Sequence, residues 1–192
     1  MKKVNLLRLD HVAIAVRDFE KAHAFFTKVF GAVPGTFSEV PGMNYIWKNY
    51  ALGDLSRMEL LGPTAPDSFL DGFLKTREGG VHHMTFQTPD IQEARAALEA
   101  NGIPYFGYNE YVGGVWKELF IHPRDAFGVL IQIAEFTADD WLAPEVKLPG
   151  GKRFHVEKGA HGAVLTMEHP GGGMARFELT RAEIDALIKE LS

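Results

Sequence analysis

The sequence predicts an α+β protein with two tandem βαβββ modules over residues 6–62 and 78–136, a linker over 137–153 and a ββα appendage over 154–192. Three observations carry that expectation. A segment recurs at an offset of 72 residues. Each copy opens with alternating residues that run into a capped helix. After residue 136 neither feature returns.

The first copy begins Asp10-His11-Val12-Ala13-Ile14-Ala15-Val16, and the second His82-His83-Met84-Thr85-Phe86-Gln87-Thr88. Val12, Ile14 and Val16 share one face of a period-two strand and His11, Ala13 and Ala15 the other. Met84 and Phe86 alternate in the same way with His83, Thr85 and Gln87. One face packs; the other is small and polar, carries a histidine and suits a cavity wall. Asp18 predicts a helix N-terminus, with Phe19, Ala22, Phe26 and Phe30 at helical spacing before Gly31. Asp90 does the same for Ile91, Ala94, Ala97 and Leu98, with Glu93 at the capping-box position. Strands are expected near 35–40, 44–52 and 56–61, and again near 105–109, 115–121 and 128–135. Two copies are too few for a solenoid and fit a duplicated domain with a pseudo-twofold axis.

Beyond the repeat, residues 137–153 hold two prolines and Gly150-Gly151, which predicts a linker. Strands near 161–168 and 174–179 flank Gly171-Gly172-Gly173, a hairpin signal. A helix over 181–191 is predicted by Thr180 and Glu183 as a capping box and by an apolar stripe of Ile184, Leu187, Ile188 and Leu191. This appendage is expected to dock on the main domain.

Composition narrows the chemistry. The 192 residues include 20 Lys+Arg, 25 Asp+Glu and 8 His, for a net charge of −5, and no cysteine. Disulfides, thiolate metal sites and a cysteine nucleophile are excluded. A mildly acidic chain without a basic cluster argues against a nucleic-acid partner. No apolar run approaches the roughly 20 residues of a spanning helix. Met1 to Arg8 lacks the apolar core of a signal peptide. The expectation is a cytoplasmic protein handling a small-molecule substrate.

Superposing the copies pairs His11 with His83. It also pairs Glu59, within Arg57-Met58-Glu59-Leu60-Leu61, with Gln132, within Leu130-Ile131-Gln132-Ile133. Taken singly, each has an ordinary reading as a hydrogen-bonded core residue or a solvated strand end. Their recurrence at matching places favours one shared cation, since a buried carboxylate or amide without a partner costs several kcal/mol. Imidazole and oxygen ligands suit Zn, Co, Ni, Mn or Fe. His82 is expected to point away as a structural residue, and His23 to lie on the surface of its helix. His122, His155, His161 and His169 have no symmetric counterpart.

Asp10 to Val16, Gly80 to Phe86, and the run His122-Pro123-Arg124-Asp125-Ala126-Phe127-Gly128-Val129-Leu130-Ile131-Gln132 resemble the vicinal oxygen chelate superfamily. That superfamily includes glyoxalase I, methylmalonyl-CoA epimerase, extradiol dioxygenases and the fosfomycin and bleomycin resistance proteins. Within it, the histidine pair and the His-Pro-basic-Asp run are most similar to the epimerases. The resemblance implies an eight-stranded cupped barrel around one divalent ion held by His11, Glu59, His83 and Gln132. It further implies an isomerase or lyase that stabilises an enolate of a small acyl thioester or α-oxo substrate, with Glu59 as ligand and catalytic carboxylate. A homodimer is implied as well.

Two departures from the epimerase pattern stand out. Gln132 replaces a glutamate and cannot accept a proton, and the position of a second family glutamate falls near Gly42-Met43, with Glu39 read as a solvated loop residue. Two alternatives remain: an Fe(II)-dependent extradiol-type dioxygenase, and a non-catalytic binder with an aromatic cleft drawn from Tyr45, Trp47, Tyr50, Tyr108, Tyr111 and Trp116. A CoA substrate would draw phosphate contacts from Lys48, Arg57, Lys75, Arg77, Lys117 or Arg124.

Overall fold

The computed structural model describes residues 2–53, 56–146, 152–168 and 174–192. The Gly150-Gly151 signal, the Gly171-Gly172-Gly173 turn and His169 lie outside the described residues.

Module one contains β1 (Arg8–Val16), α1 (Phe19–Val29), β2 (Val33–Val40), β3 (Tyr45–Leu52) and β4 (Ser56–Pro63). A one-turn helix, α2 (Asp71–Leu74), connects to module two: β5 (Gly79–Gln87), α3 (Ile91–Ala100), β6 (Phe106–Glu110), β7 (Lys117–Ile121) and β8 (Ile131–Glu135). The β-α-β-β-β order therefore occurs twice, as the repeat predicts. The eight strands form one sheet in the order β2-β3-β4-β1-β5-β8-β7-β6, curled into a half-barrel. In each module the first strand pairs in parallel with the last, β1 with β4 and β5 with β8. The modules join where β1 and β5 pair antiparallel.

The register makes the duplication exact at the level that matters for chemistry. Glu59 lies opposite Ala13, two residues along β1 from His11. Gln132 lies opposite Thr85, two residues along β5 from His83. Across the seam, His11 faces Thr85 and Ala13 faces His83, pairs that exchange under the 72-residue shift. Because side chains alternate along a strand, these pairings put all four candidate groups on the concave face.

Outside the cup, the helices bury the opposite faces. Ile14, Val16, Phe19, Ala22 and Phe26 pack with Tyr50, Met58 and Leu60 under α1. Ile91, Ala94 and Leu98 of α3 pack with Leu119, Ile121 and Ile133. Asp18 accepts a hydrogen bond from the Lys21 amide, and Asp90 from Gln92 and Glu93. The bond expected from the Asp90 amide to Glu93 goes instead to Thr88 Oγ1 at 3.4 Å, and Glu135 Oε2 accepts the next amide, that of Ile91, at 2.9 Å. Gly31 ends the α1 segment in the left-handed region, at φ +67°, where a Cβ is disfavoured.

The C-terminal region differs from expectation in two respects. Part of the predicted linker is built into the domain: Ala138–Trp141 and Pro144–Val146 form 3-10 turns. Ala138 and Trp141 pack with Ala134, Phe136 and Trp116. The appendage has three strands rather than two, β9 (Phe154–Lys158), β10 (Gly162–Glu168) and β11 (Met174–Thr180), in the order β11-β10-β9, followed by α4 (Arg181–Leu191). The predicted Thr180/Glu183 capping box is present. Among the described residues, α4 packs on β10 and β11, and the docking expected of the appendage is not seen as close packing between its elements and those of the half-barrel. No described helix is long and apolar enough to cross a membrane.

Candidate metal centre and active site

The seam strands β1 and β5 deliver one histidine each to the floor of the cup, and β4 brings Glu59 between them. Glu59 Oε2 lies 3.9 Å from His11 Nε2 and 3.7 Å from His83 Nε2. Among the described residues, His11, Glu59 and His83 form a group whose ligand atoms all lie within 4.8 Å of one another. All three are buried, and the imidazole centroids are 6.0 Å apart.

Gln132 joins through Thr85, whose hydroxyl lies 2.9 Å from His11 Nε2 and donates to Gln132 Oε1 at 2.5 Å. Strand alternation places Thr85 on the cavity face beside His83 but not in the ligand set, and its place opposite Gln132 follows from the register.

Each histidine is oriented by the residue before it. Asp10 Oδ2 lies 2.7 Å from His11 Nδ1, and His82 Nδ1 lies 3.0 Å from His83 Nδ1. These are equivalent positions in the two copies. His82 thus does not point away, as expected, but turns beside His83, with its ring flanked by Phe69 and Phe73 at 5.6 and 5.0 Å. A proton on Nδ1, shared with the preceding residue, leaves Nε2 of each imidazole as a lone pair facing the cup. Asp10 is further held by the guanidinium groups of Arg8 and Arg57. Arg57 is therefore buried beneath the centre rather than free at the rim for phosphate, and it donates to the Ala138 carbonyl at 3.2 Å. His23, expected on the surface, is half-buried and 2.8 Å from the Tyr50 hydroxyl.

Counting protons tests whether a cation fits. His83 Nε2 is buried without a hydrogen-bond partner. Thr85 has one hydroxyl hydrogen for two acceptors, His11 Nε2 and Gln132 Oε1, so one lone pair is left open whichever it serves. With Glu59 Oε2, these unsatisfied acceptors converge on one buried volume. Such a set is costly alone and is satisfied by a cation. Two imidazoles with carboxylate and amide oxygens form a nitrogen and oxygen donor set for a first-row divalent ion.

The electrostatics agree. Burial pushes the Glu59 carboxyl up to about 7, with His11 opposing and Glu118 reinforcing the shift. Burial, then His11 and His82, hold His83 well below the ordinary imidazole range, and burial lowers His11. Both imidazoles are therefore neutral, the form that ligates, while the metal-free Glu59 keeps its proton through mildly acidic pH.

The sign for stability follows. The raised Glu59 contributes stability to the metal-free fold below the unfolded carboxyl range, and that contribution is lost as pH rises through about 7. Binding a cation must displace the Glu59 proton below that pH. Divalent-ion affinity is accordingly expected to fall by about tenfold per pH unit from roughly pH 7 downward. Titrating Zn or Co into the apoprotein across that range checks it, and a pH-independent affinity contradicts it.

Glu118, missed at the sequence level, is the other carboxylate inside the cup. Its side chain on β7 is buried and accepts from Gln132 Nε2 at 2.6 Å, Trp116 Nε1 at 2.8 Å and the Tyr111 hydroxyl at 3.1 Å. Trp116, Trp141 and Trp47 continue as an aromatic wall, with centroids 5.1 and 5.8 Å apart. Of the aromatic residues proposed for a cleft, Tyr50 instead lies in the core beneath α1.

Comparison with known proteins meets this geometry. A profile of the Glyoxalase/Bleomycin resistance protein/Dioxygenase superfamily matches residues 10–120. The chain belongs to that superfamily. Mitochondrial methylmalonyl-CoA epimerase of Bos taurus is 38% identical over 135 residues, covering 68% of this chain and 75% of the relative. Ethylmalonyl-CoA/methylmalonyl-CoA epimerase of Cereibacter sphaeroides is 36% identical over 131 residues, covering 67% and 97%. Among solved structures, Streptomyces coelicolor methylmalonyl-CoA epimerase in complex with 2-nitronate-propionyl-CoA superposes with TM-score 0.62 at 26% identity, covering 70% of this chain and all of that one. The Mycobacterium tuberculosis epimerase superposes with TM-score 0.63 at 24% identity, covering 71% and 93%, and supports the fold. These homologues mark the chain as an enzyme of the isomerase type, and its buried His11, Glu59 and His83 are clustered closely enough to hold a metal ion.

Proposed function

We propose that the chain is a divalent-metal-dependent epimerase of an acyl-CoA thioester bearing an acidic carbon next to the thioester carbonyl. The observation that carries this reading is the buried convergence of His11, Glu59 and His83, with Gln132 joined through Thr85, in a chain whose relatives are named as acyl-CoA epimerases. His11, Glu59, His83 and Gln132 would hold the ion. Once bound, the ion supplies a Lewis acid for the carbonyl oxygens of a chelated substrate.

The chain's own groups do the rest. Neutral imidazoles leave the site's net charge to Glu59, which can carry a proton at the substrate carbon. Gln132 orients and cannot titrate. The aromatic wall excludes water, which strengthens every charge interaction inside the cup. A homodimer and a cytoplasmic location belong to the same proposal; the named relatives include mitochondrial and bacterial proteins.

The decisive experiment supplies single epimers of methylmalonyl-CoA to protein loaded with Co, Zn, Ni or Mn in deuterated water. Interconversion of the epimers with deuterium entering at the α-carbon is expected. Absence of exchange across a panel of acyl-CoA thioesters, or oxygen uptake with a catechol in the presence of Fe(II), would overturn the reading.

A further inference from the structure

The sheet of the C-terminal appendage has two unlike faces. Its register sets Phe154, Met167 and Ala175 in one row, Val156, Leu165 and Phe177 in the next, and Lys158, Ala163 and Leu179 in a third. Facing residues share a side of the sheet, so these nine, all apolar but Lys158, form one face. Phe154, Val156, Met167 and Phe177 on it are 61, 43, 41 and 50% exposed. α4 packs on β10 and β11 and buries none of its own residues. Among the described residues β9 has only β10 beside it, and all five of its residues are exposed.

A free edge strand presents a row of unpaired backbone groups that recruits another strand unless it is blunted. The half-barrel blunts both of its edges. β2 carries Pro34 and an irregular register from Pro34 to Phe37, and β6 is irregular between Phe106 and Asn109. β9 has no proline and pairs with β10 without a shift. The Arg153 carbonyl and the Gly159 amide bond toward β10, so alternation turns the N–H and C=O groups of Phe154, Val156 and Lys158 outward.

The strand Phe154-His155-Val156-Glu157-Lys158 is complementary to itself when reversed. In antiparallel pairing about Val156, each His155 faces the partner's Glu157 and each Phe154 faces the partner's Lys158. The polar pairs fall on the side where His155 and Glu157 already lie 3.7 Å apart within one chain. The others fall on the apolar side, with a lysine stem over each phenylalanine ring. Sliding by two residues sets Glu157 against the partner's Glu157 in one direction, and Lys158 against the partner's Lys152 in the other. Sliding by one turns the polar side of one copy onto the apolar side of the other. Charge therefore selects one register, and the occupant it selects is a second copy of this chain.

We propose that two copies join through their β9 strands, antiparallel about Val156, into one six-stranded sheet with twofold symmetry. The contact gives the homodimer of the reading above a surface, beyond the residues that match the superfamily, and does not depend on the acyl-CoA activity. β11, the other edge, has a similar pattern in Arg176 and Glu178 about Phe177, but α4 packs against it.

Because the chain has no cysteine, introduced cysteines report this contact by position. Facing Cα atoms of an antiparallel pair lie about 4.5–5.5 Å apart, within disulfide reach. On mild oxidation of the full chain, Val156→Cys is expected to form a linked dimer and Phe177→Cys to remain unlinked. His155→Cys and Glu157→Cys chains should link when mixed and not when alone, which fixes the register and serves if Val156→Cys fails to fold. By sedimentation equilibrium, Glu157→Lys is expected to weaken the dimer about tenfold, and adding His155→Glu to recover it. Linkage through Phe177→Cys instead of Val156→Cys overturns the proposal. A dimeric parent linked at neither position keeps the homodimer and removes this surface from it. A parent that sediments as a monomer overturns both, whatever its activity on acyl-CoA thioesters.

Discussion

Replacing His83 with alanine is expected to abolish stoichiometric divalent-ion binding and to lower epimerisation by about three orders of magnitude. The magnitude follows from the several kcal/mol that a Lewis acid contributes to stabilising developing charge, at about 1.4 kcal/mol per decade of rate. His83 is chosen because its Nε2 is the buried acceptor without a partner in the metal-free protein. For the same reason, the variant's stability should separate a ligand from a packing residue. Truncating an ordinary buried side chain of this size costs about 3 kcal/mol or more. Removing His83 also removes an unsatisfied buried acceptor and eases the crowding of lone pairs around Glu59, so the metal-free variant should unfold within about 1 kcal/mol of the metal-free parent. Added Zn or Co should raise the melting temperature of the parent and leave that of the variant unchanged. Metal analysis of the purified variant and melts with and without ion provide the check. A variant that retains one ion per chain removes His83 from the ligand set.

The centre was legible in the sequence because of symmetry. His11 and His83 repeat at one offset, Glu59 and Gln132 at the other ends of the same strand pairs, and the register shows why: both modules pair their first and last strands with the same stagger. The half-barrel was legible for a related reason, since alternating strands and Asp-capped helices are local features that a duplication states twice.

What broke the symmetry stayed hidden. The counterpart of Glu118 in module one is Trp47, each two positions along its strand from the residue facing the symmetric pair Glu59 and Gln132. A comparison of copies cannot find a carboxylate whose counterpart is an indole. The remaining signal was weaker: a glutamate alternating with Leu119 in a strand otherwise fit for burial. His82 and Asp10 hid in a similar way, occupying one position with different residues, so their shared contact with the following Nδ1 emerged only in three dimensions. The span after β8 misled for another reason. Proline marks turns, but Trp141 and Ala138 bury against Phe136 and Trp116, and long-range packing decides whether a turn-rich segment is a linker or a wall.

Asp10 connects the site to the stability of the fold, and substituting it should have the largest effect on unfolding. Its carboxylate meets Arg8, Arg57 and His11 Nδ1 at once, in a place where both Asp10 and Arg57 are buried. Removing one partner of a buried ion pair leaves an uncompensated charge and costs about 3–5 kcal/mol. Asp10→Ala is expected to lose that much at neutral pH, although Arg57 keeps the Ala138 carbonyl and the Phe136 ring, 5.6 Å from its guanidinium carbon. The same variant frees His11 Nδ1, and loss of such an orienting partner lowers metal affinity by about 10–100-fold. Asp10→Asn separates the two effects. The amide oxygen still accepts from Nδ1–H and keeps the imidazole in its ligating tautomer, so metal affinity should remain close to that of the parent. It carries no charge for the two guanidinium groups, so most of the stability loss should persist. Urea unfolding of the metal-free variants, with metal titrations on the folded proteins, measures the two quantities independently. If Asp10→Ala unfolds within about 1 kcal/mol of the parent, the arginines find solvent or Asp139 instead, and Asp10 serves the histidine alone.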